Sequence, residues 1–125
     1  MTGKERIQSV LNGKWTDRRP VMLHNFLMAA QEAGLSQKQF RSNPKKAAQA
    51  FIDAAEKYGT DGILVDIDTA TLAGAAGVPV DFPDDEPARV NGSRIENITD
   101  AWHLQPVDLE KDERIQIWLE TCRLV

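Results

Sequence analysis

Two short apolar runs, Val21-Met22-Leu23 and Ile63-Leu64-Val65, stop abruptly at polar side chains: His24-Asn25 after the first, Asp66 after the second. Segments with helical periodicity flank both. An all-apolar run of this length reads as a parallel strand covered on both faces, so the pattern predicts strands over residues 21–23 and 63–65. Ahead of the first, Thr2 with Glu5 makes a capping-box signature, and Ile7, Val10 and Leu11 form a stripe, predicting a helix over residues 2–12 stopped by Gly13. Residues 26–34 read as a second helix, with Phe26, Ala29, Ala30 and Ala33 on one side. Ser36 with Gln39 opens a short third one. Asn43-Pro44 opens the longest, which runs to Tyr58 with Ala47, Ala50, Phe51, Ala54 and Ala55 as its buried stripe, and ends at Gly59. Strand, helix, strand is the signature of a βαβ unit and a parallel sheet.

Beyond the second run the periodicity weakens. Residues 69–77, TATLAGAAG, read as one short helix closed by Gly77. Residues 78–90 hold three prolines and the acidic cluster Asp84-Asp85-Glu86, which predicts an irregular hairpin with arms at 80–82 and 88–90. One helical turn is expected at 97–104. A last helix is expected at 112–125, with Ile115, Trp118, Leu119 and Cys122 on its apolar face and Cys122 as a buried small hydrophobe.

Composition narrows the class. The chain has 125 residues, 42% hydrophobic and 27% charged, as in a globular domain, with a net charge of −4. Lys45-Lys46 is a single basic pair, so no nucleic-acid footprint is expected. Lone Cys122 can form neither an internal disulfide nor a thiolate metal site by itself. With no apolar leader and no run of membrane-spanning length, the expectation is a cytoplasmic protein with no membrane partner.

Two parallel strands cannot form an independent sheet buried on both faces. The expectation is therefore an incomplete unit: residues 1–125 as the front of a larger α/β domain, or a chain completed by self-association or domain swapping. In a β/α barrel, which takes roughly 250 residues, functional groups sit at the C-terminal ends of the strands. Here those ends carry His24, Asn25, Asp66 and Asp68. Asp66 and Asp68 share a face if the strand continues, but Asp68 serves equally well as a cap for the next helix. His24 suits a general base or a ligand, or a hydrogen-bonded structural role. Asn25 suits a pocket lining or a turn. Met28, with Met22 and Phe26, suits an apolar cavity or core filling. TLAGAAG lacks the spacing of a dinucleotide-binding fingerprint, and His103 beside Trp102 reads as surface or packing.

The order of these features resembles the N-terminal part of the uroporphyrinogen decarboxylase family: the capped helix TGKERIQSVLNG, the turn D-R-x-P-V, the helix end KYG-x-DG, the strand end VDID, then AGAAGVPVDFPDDEPARV. That family also contains the corrinoid-dependent methyltransferases. The resemblance covers nearly all of this chain but only the first third or so of such a protein. It implies the N-terminal portion of a (β/α)8 TIM-type barrel, helix-rich, with two central parallel strands and an irregular hairpin. The decarboxylases carry M-R-Q-A-G-R after strand one, whose two arginines clamp substrate carboxylates. Aligned on Pro20, those arginine positions hold Asn25 and Ala29. The aspartate of the decarboxylases' F-S-D-I-L segment is retained as Asp66. Loss of the arginines favours the methyltransferase-like branch, whose zinc is held by a histidine and two cysteines from later strands. The expected site is thus catalytic Asp66, which the resemblance retains, and catalytic His24 from its strand-end position, with substrate contacts from Asn25 at a lost arginine position, from Asp68 and from Met28. The resemblance implies no metal or cofactor on this segment alone, zinc and a corrinoid in a complete member, and a small-molecule substrate with a corrinoid protein as partner.

Overall fold

The computed structural model describes all residues, Met1–Val125. It is a helix-rich α/β arrangement in which one parallel ribbon lies against a layer of helices. In chain order the elements are α1 (Gly3–Leu11), β1 (Met22–Leu23), α2 (Phe26–Glu32), α3 (Gln37–Ser42), α4 (Pro44–Tyr58), β2 (Gly62–Ile63), α5 (Thr71–Ala75), β3 (Val80–Asp81), β4 (Arg89–Val90), a 3₁₀ turn (Ile98–His103) and α6 (Glu113–Leu124). β1 and β2 pair in parallel, Met22 with Gly62 and Leu23 with Ile63. β3 and β4 form the irregular hairpin, antiparallel and two residues per arm.

Local chemistry fixes the helix ends. Thr2 and Glu5 close a capping box, as do Ser36 and Gln39. Asn43 accepts from the Lys46 amide and Pro44 takes the first position of α4, which ends where Gly59 turns left-handed at φ 61°. The core is the seam between α2, α3 and α4. Phe40 and Phe51 meet edge-on at 5.3 Å, surrounded by Ala29, Ala30, Ala47, Ala50 and Ala54. Alanines on facing helices let the backbones approach closely, and the two rings fill the remaining space.

Two expectations need correction. The strands are shorter than predicted, and β2 begins one residue earlier, at Gly62. Each strand has a single partner, so the ladder ends where that partner diverges. On α6 the buried positions are Ile115 and Thr121, while Leu119 and Cys122 are exposed. Thr121 tolerates burial because its hydroxyl donates to the Ile117 carbonyl at 2.9 Å, and this rotates the helix away from the stripe that hydrophobicity alone suggests.

The entry end of the ribbon is locked by charge. Asp61, immediately before β2, is 1% exposed in its side chain. Its carboxylate accepts from Arg6 Nη1 (2.9 Å), from Arg18 Nη1 (2.6 Å) and Nη2 (2.8 Å), and from the Val21 amide (2.8 Å). Burial pushes the Asp61 carboxyl up, but the Val21 amide and the two guanidinium groups outweigh it and hold the pKa below the ordinary range. Arg6 also grips Asp17 through two bonds of 2.7 Å, which keeps the Asp17 carboxyl well below that range too. α1 lies so close over this point that a Cβ on Gly3 would stand 2.4 Å from the Asp61 carbonyl oxygen.

The hairpin is held to α3 by Arg41, whose guanidinium donates to the carbonyls of Glu86 (3.1 Å) and Pro83 and lies 5.7 Å from the Phe82 ring centroid. Burial lowers the Arg41 pKa, offset in part by Asp68.

Candidate functional site

Alternation along β2 sorts its neighbourhood into two faces. Ile63, Val65 and Ile67 point into the helical core. Gly62, Leu64 and Asp66 point the other way, as do Met22 and His24 from the first strand segment. No helix covers the upper part of this second face, where Met22 and Leu64 are exposed. Its lower end is closed by α1: a Cβ on Gly62 would stand 2.9 Å from Ile7 Cδ1.

At the upper rim the two strand ends bring His24 and Asp66 together. His24 Nε2 lies 2.6 Å from Asp66 Oδ2, across 42 residues of sequence. The His24 side chain is 48% exposed and that of Asp66 18%. The imidazole packs on Phe26, the first residue of α2, with ring centroids 5.2 Å apart. Asp66 Oδ1 is buried and has no hydrogen-bond partner. The carboxylate thus spends one oxygen on His24 and keeps an acceptor free. With the proton on Nε2, that N–H donates to Asp66 and Nδ1 is left as the ring's acceptor.

The other predicted site residues divide. Asn25 caps α2 through its carbonyl, accepting from the Ala29 amide at 2.8 Å, and its side chain makes no capping bond. Asn25 is half-buried and lines a narrow cleft with Leu23, Phe51 and Ala55, so it turns toward α4 and away from the His24 face. Met28 is half-buried on α2. Asp68 is 4% exposed, and its carboxylate accepts from the Ala70 amide (2.7 Å), the Thr71 amide (2.6 Å) and the Thr71 hydroxyl (2.7 Å). Of the two roles open to Asp68, the geometry supplies the cap, because the chain turns after Ile67 and the alternation breaks. Ala29, at the second lost arginine position, is buried in the core.

Sequence reasoning placed His24 and Asp66 at strand ends without joining them, since contacts spanning 42 residues leave no local signal. It missed Trp118, whose indole Nε1 donates to the Val65 carbonyl at 3.2 Å. It also missed the Asp61 cluster, although charged residues in an otherwise apolar strand entry are a signal worth reading.

No group of three or more His, Cys, Asp or Glu side chains could hold a metal ion. No helix is long and apolar enough to cross a membrane.

The model of the family described as uroporphyrinogen decarboxylase (URO-D) matches residues 2–125. The chain belongs to the uroporphyrinogen decarboxylase family. No curated protein and no solved structure matches it. Residue 66 is an aspartate, and residues 25 and 29 are asparagine and alanine, so no guanidinium stands at either of the last two positions.

Proposed function

We propose that this chain is the front portion of a uroporphyrinogen decarboxylase-family barrel of the corrinoid-dependent methyltransferase-like branch, in which His24 and Asp66 line the mouth. One observation carries most of the weight: the strand ends present a neutral or singly charged donor–acceptor pair, His24 Nε2 to Asp66 Oδ2 at 2.6 Å, where a polyanionic porphyrinogen would need guanidinium clamps. A small methylated donor or acceptor needs no guanidinium clamp and meets the half-exposed imidazole of His24. Asp66 orients the imidazole, and His24 holds or accepts a proton at Nδ1. Met28, half-buried on α2, adds an apolar contact. Zinc and a corrinoid protein belong to the rest of such an assembly, and no step through them follows from these residues.

Retained Asp66 supports a second reading, decarboxylation of a smaller carboxylate. The exposed surface supports a third, a non-catalytic interaction module: the chain exposes 8395 Å², about 1,700 Å² more than the roughly 6,700 Å² expected of a compact chain of 13.9 kDa. That excess also favours a covering layer, from further βα units or from a second copy.

The deciding experiment incubates the complete assembly that contains this segment with methylcobalamin and a thiol, following the corrinoid spectrum, beside a parallel assay of carbon dioxide release from uroporphyrinogen. Methyl transfer that falls by about 100-fold or more in both Asp66→Asn and His24→Gln supports the first reading. Carbon dioxide release with the same losses moves the function to decarboxylation. Activity in neither assay, with partner capture unaffected by Asp66→Asn, leaves the interaction module.

A further inference from the structure

The β1–β2 ladder ends at Leu23 and Ile63, so His24 and Asp66 both lie beyond its last pair. Asp66 is three residues past that pair, and nothing in the ribbon fixes its distance from His24. Hydrogen bonds from elsewhere hold this stretch. Before Asp66, the Val65 carbonyl accepts from Trp118 Nε1 at 3.2 Å, a contact spanning 53 residues. After it, Ile67 is buried in the core and Asp68 is tied to the start of α5.

We infer that Trp118 is a positioning residue: its indole N–H takes the place of a neighbouring strand at Val65 and thereby sets Asp66 against His24. This rests on the His24–Asp66 site proposed above. α6 is a firm support, because Ile115 and Thr121, on either side of Trp118, are buried. The Trp118 ring packs on the same core as Ile63 and Val65. The alternation of the strand then converts the position of Val65 into the direction of Asp66: with Val65 anchored toward the helices, the next side chain must point to the open face. A hydrogen bond of 2.6 Å between His24 and Asp66 does not survive a displacement of the order of 1 Å, so a loosened Val65 separates the pair.

The test reads the pair itself and needs no activity. The chain has two histidines, so its imidazole nitrogen signals resolve into His24 and His103, the latter on the exposed 3₁₀ turn and a built-in reference. The ¹⁵N shifts of both rings are recorded at one pH for the unaltered protein and for Asp66→Asn, Trp118→Phe and Ile115→Val. The expected result is that Trp118→Phe, which keeps an aromatic side chain but loses the N–H and part of the indole, moves the His24 signals toward those of Asp66→Asn. Ile115→Val, which trims α6 packing without touching Val65, leaves them in place, and His103 is constant throughout. His24 signals unchanged by Trp118→Phe but moved by Asp66→Asn overturn the role of Trp118 alone. Signals unmoved by Asp66→Asn overturn the pair and the positioning with it. If Trp118→Phe does not fold, the unaltered protein decides. The Trp118 indole proton is expected to exchange with solvent at least 10-fold more slowly than those of exposed Trp15 and Trp102, and equal rates overturn the inference.

Discussion

The two ends of the β1–β2 ribbon carry carboxylates five residues apart, Asp61 and Asp66, in opposite circumstances. Asp61 has both oxygens engaged, by two arginines and a backbone amide, and is sealed from solvent. Asp66 has one partner, an open rim on one side and a free acceptor atom. The first arrangement holds two distant segments together. The second leaves a half-exposed imidazole at the rim and one buried carboxylate oxygen without a partner. In a β/α barrel the N-terminal ends of the strands serve stability and the C-terminal ends serve chemistry, and the His24–Asp66 reading proposed above assigns the two carboxylates in that way.

The largest effect that would sharpen the contrast is at the closed end. Asp61→Ala leaves Arg6 and Arg18 without their shared acceptor and the Val21 amide unpaired, and is expected to lower the thermal midpoint by on the order of 15 °C. Scanning calorimetry beside Asp66→Ala measures it, and an equal drop at Asp66 would break the comparison. Acid provides a second handle. The native Asp61 carboxyl titrates below its unfolded value of about 3.9. Its contribution is therefore complete above that value and is lost as the pH falls through the lower native one. Urea midpoints are expected to fall steeply from about pH 4 downward, and Asp61→Asn to flatten that slope.

Smaller effects follow at the open end. Asp68→Ala removes the cap of α5 and is expected to cost about 1–2 kcal/mol by urea denaturation, with Asp68→Asn recovering part of it. Smallest of all, His24→Gln is expected to change stability by within about 0.5 kcal/mol while abolishing function, because the imidazole stands half in solvent. A destabilisation as large as that of Asp68→Ala would make His24 a structural group.

What the sequence revealed was what neighbours in sequence decide. Thr2 with Glu5, Ser36 with Gln39, and Asn43-Pro44 with Gly59 mark helix ends because the bonds they make span three or four residues. The strands were recognisable as apolar runs, but their extents were not, since ladder length depends on a partner some 40 residues away. The site was half legible for the same reason. The polar stops identified His24 and Asp66, while their pairing, the Asp61 cluster and the Trp118 bond to Val65 all depend on how distant segments meet. On α6 the apolar stripe misled, because the hydroxyl of Thr121 satisfies itself within the helix and can be buried.

The close seat of α1 has a consequence for the order of assembly. The helix buries none of its own residues. It is anchored by Arg6, by Ile7 against Gly62 and by the fit of Gly3 on the Asp61 carbonyl. Nine residues with a capping box form only a marginal helix alone. During synthesis the first helix to emerge must wait, since its dock at Asp61 lies 55 residues behind Arg6. By then α2, α3 and α4 have left the ribosome and can already pack. The N-terminal helix is thus a latch that closes only after the α2–α4 seam has formed, and a side chain at Gly3 would keep it from closing.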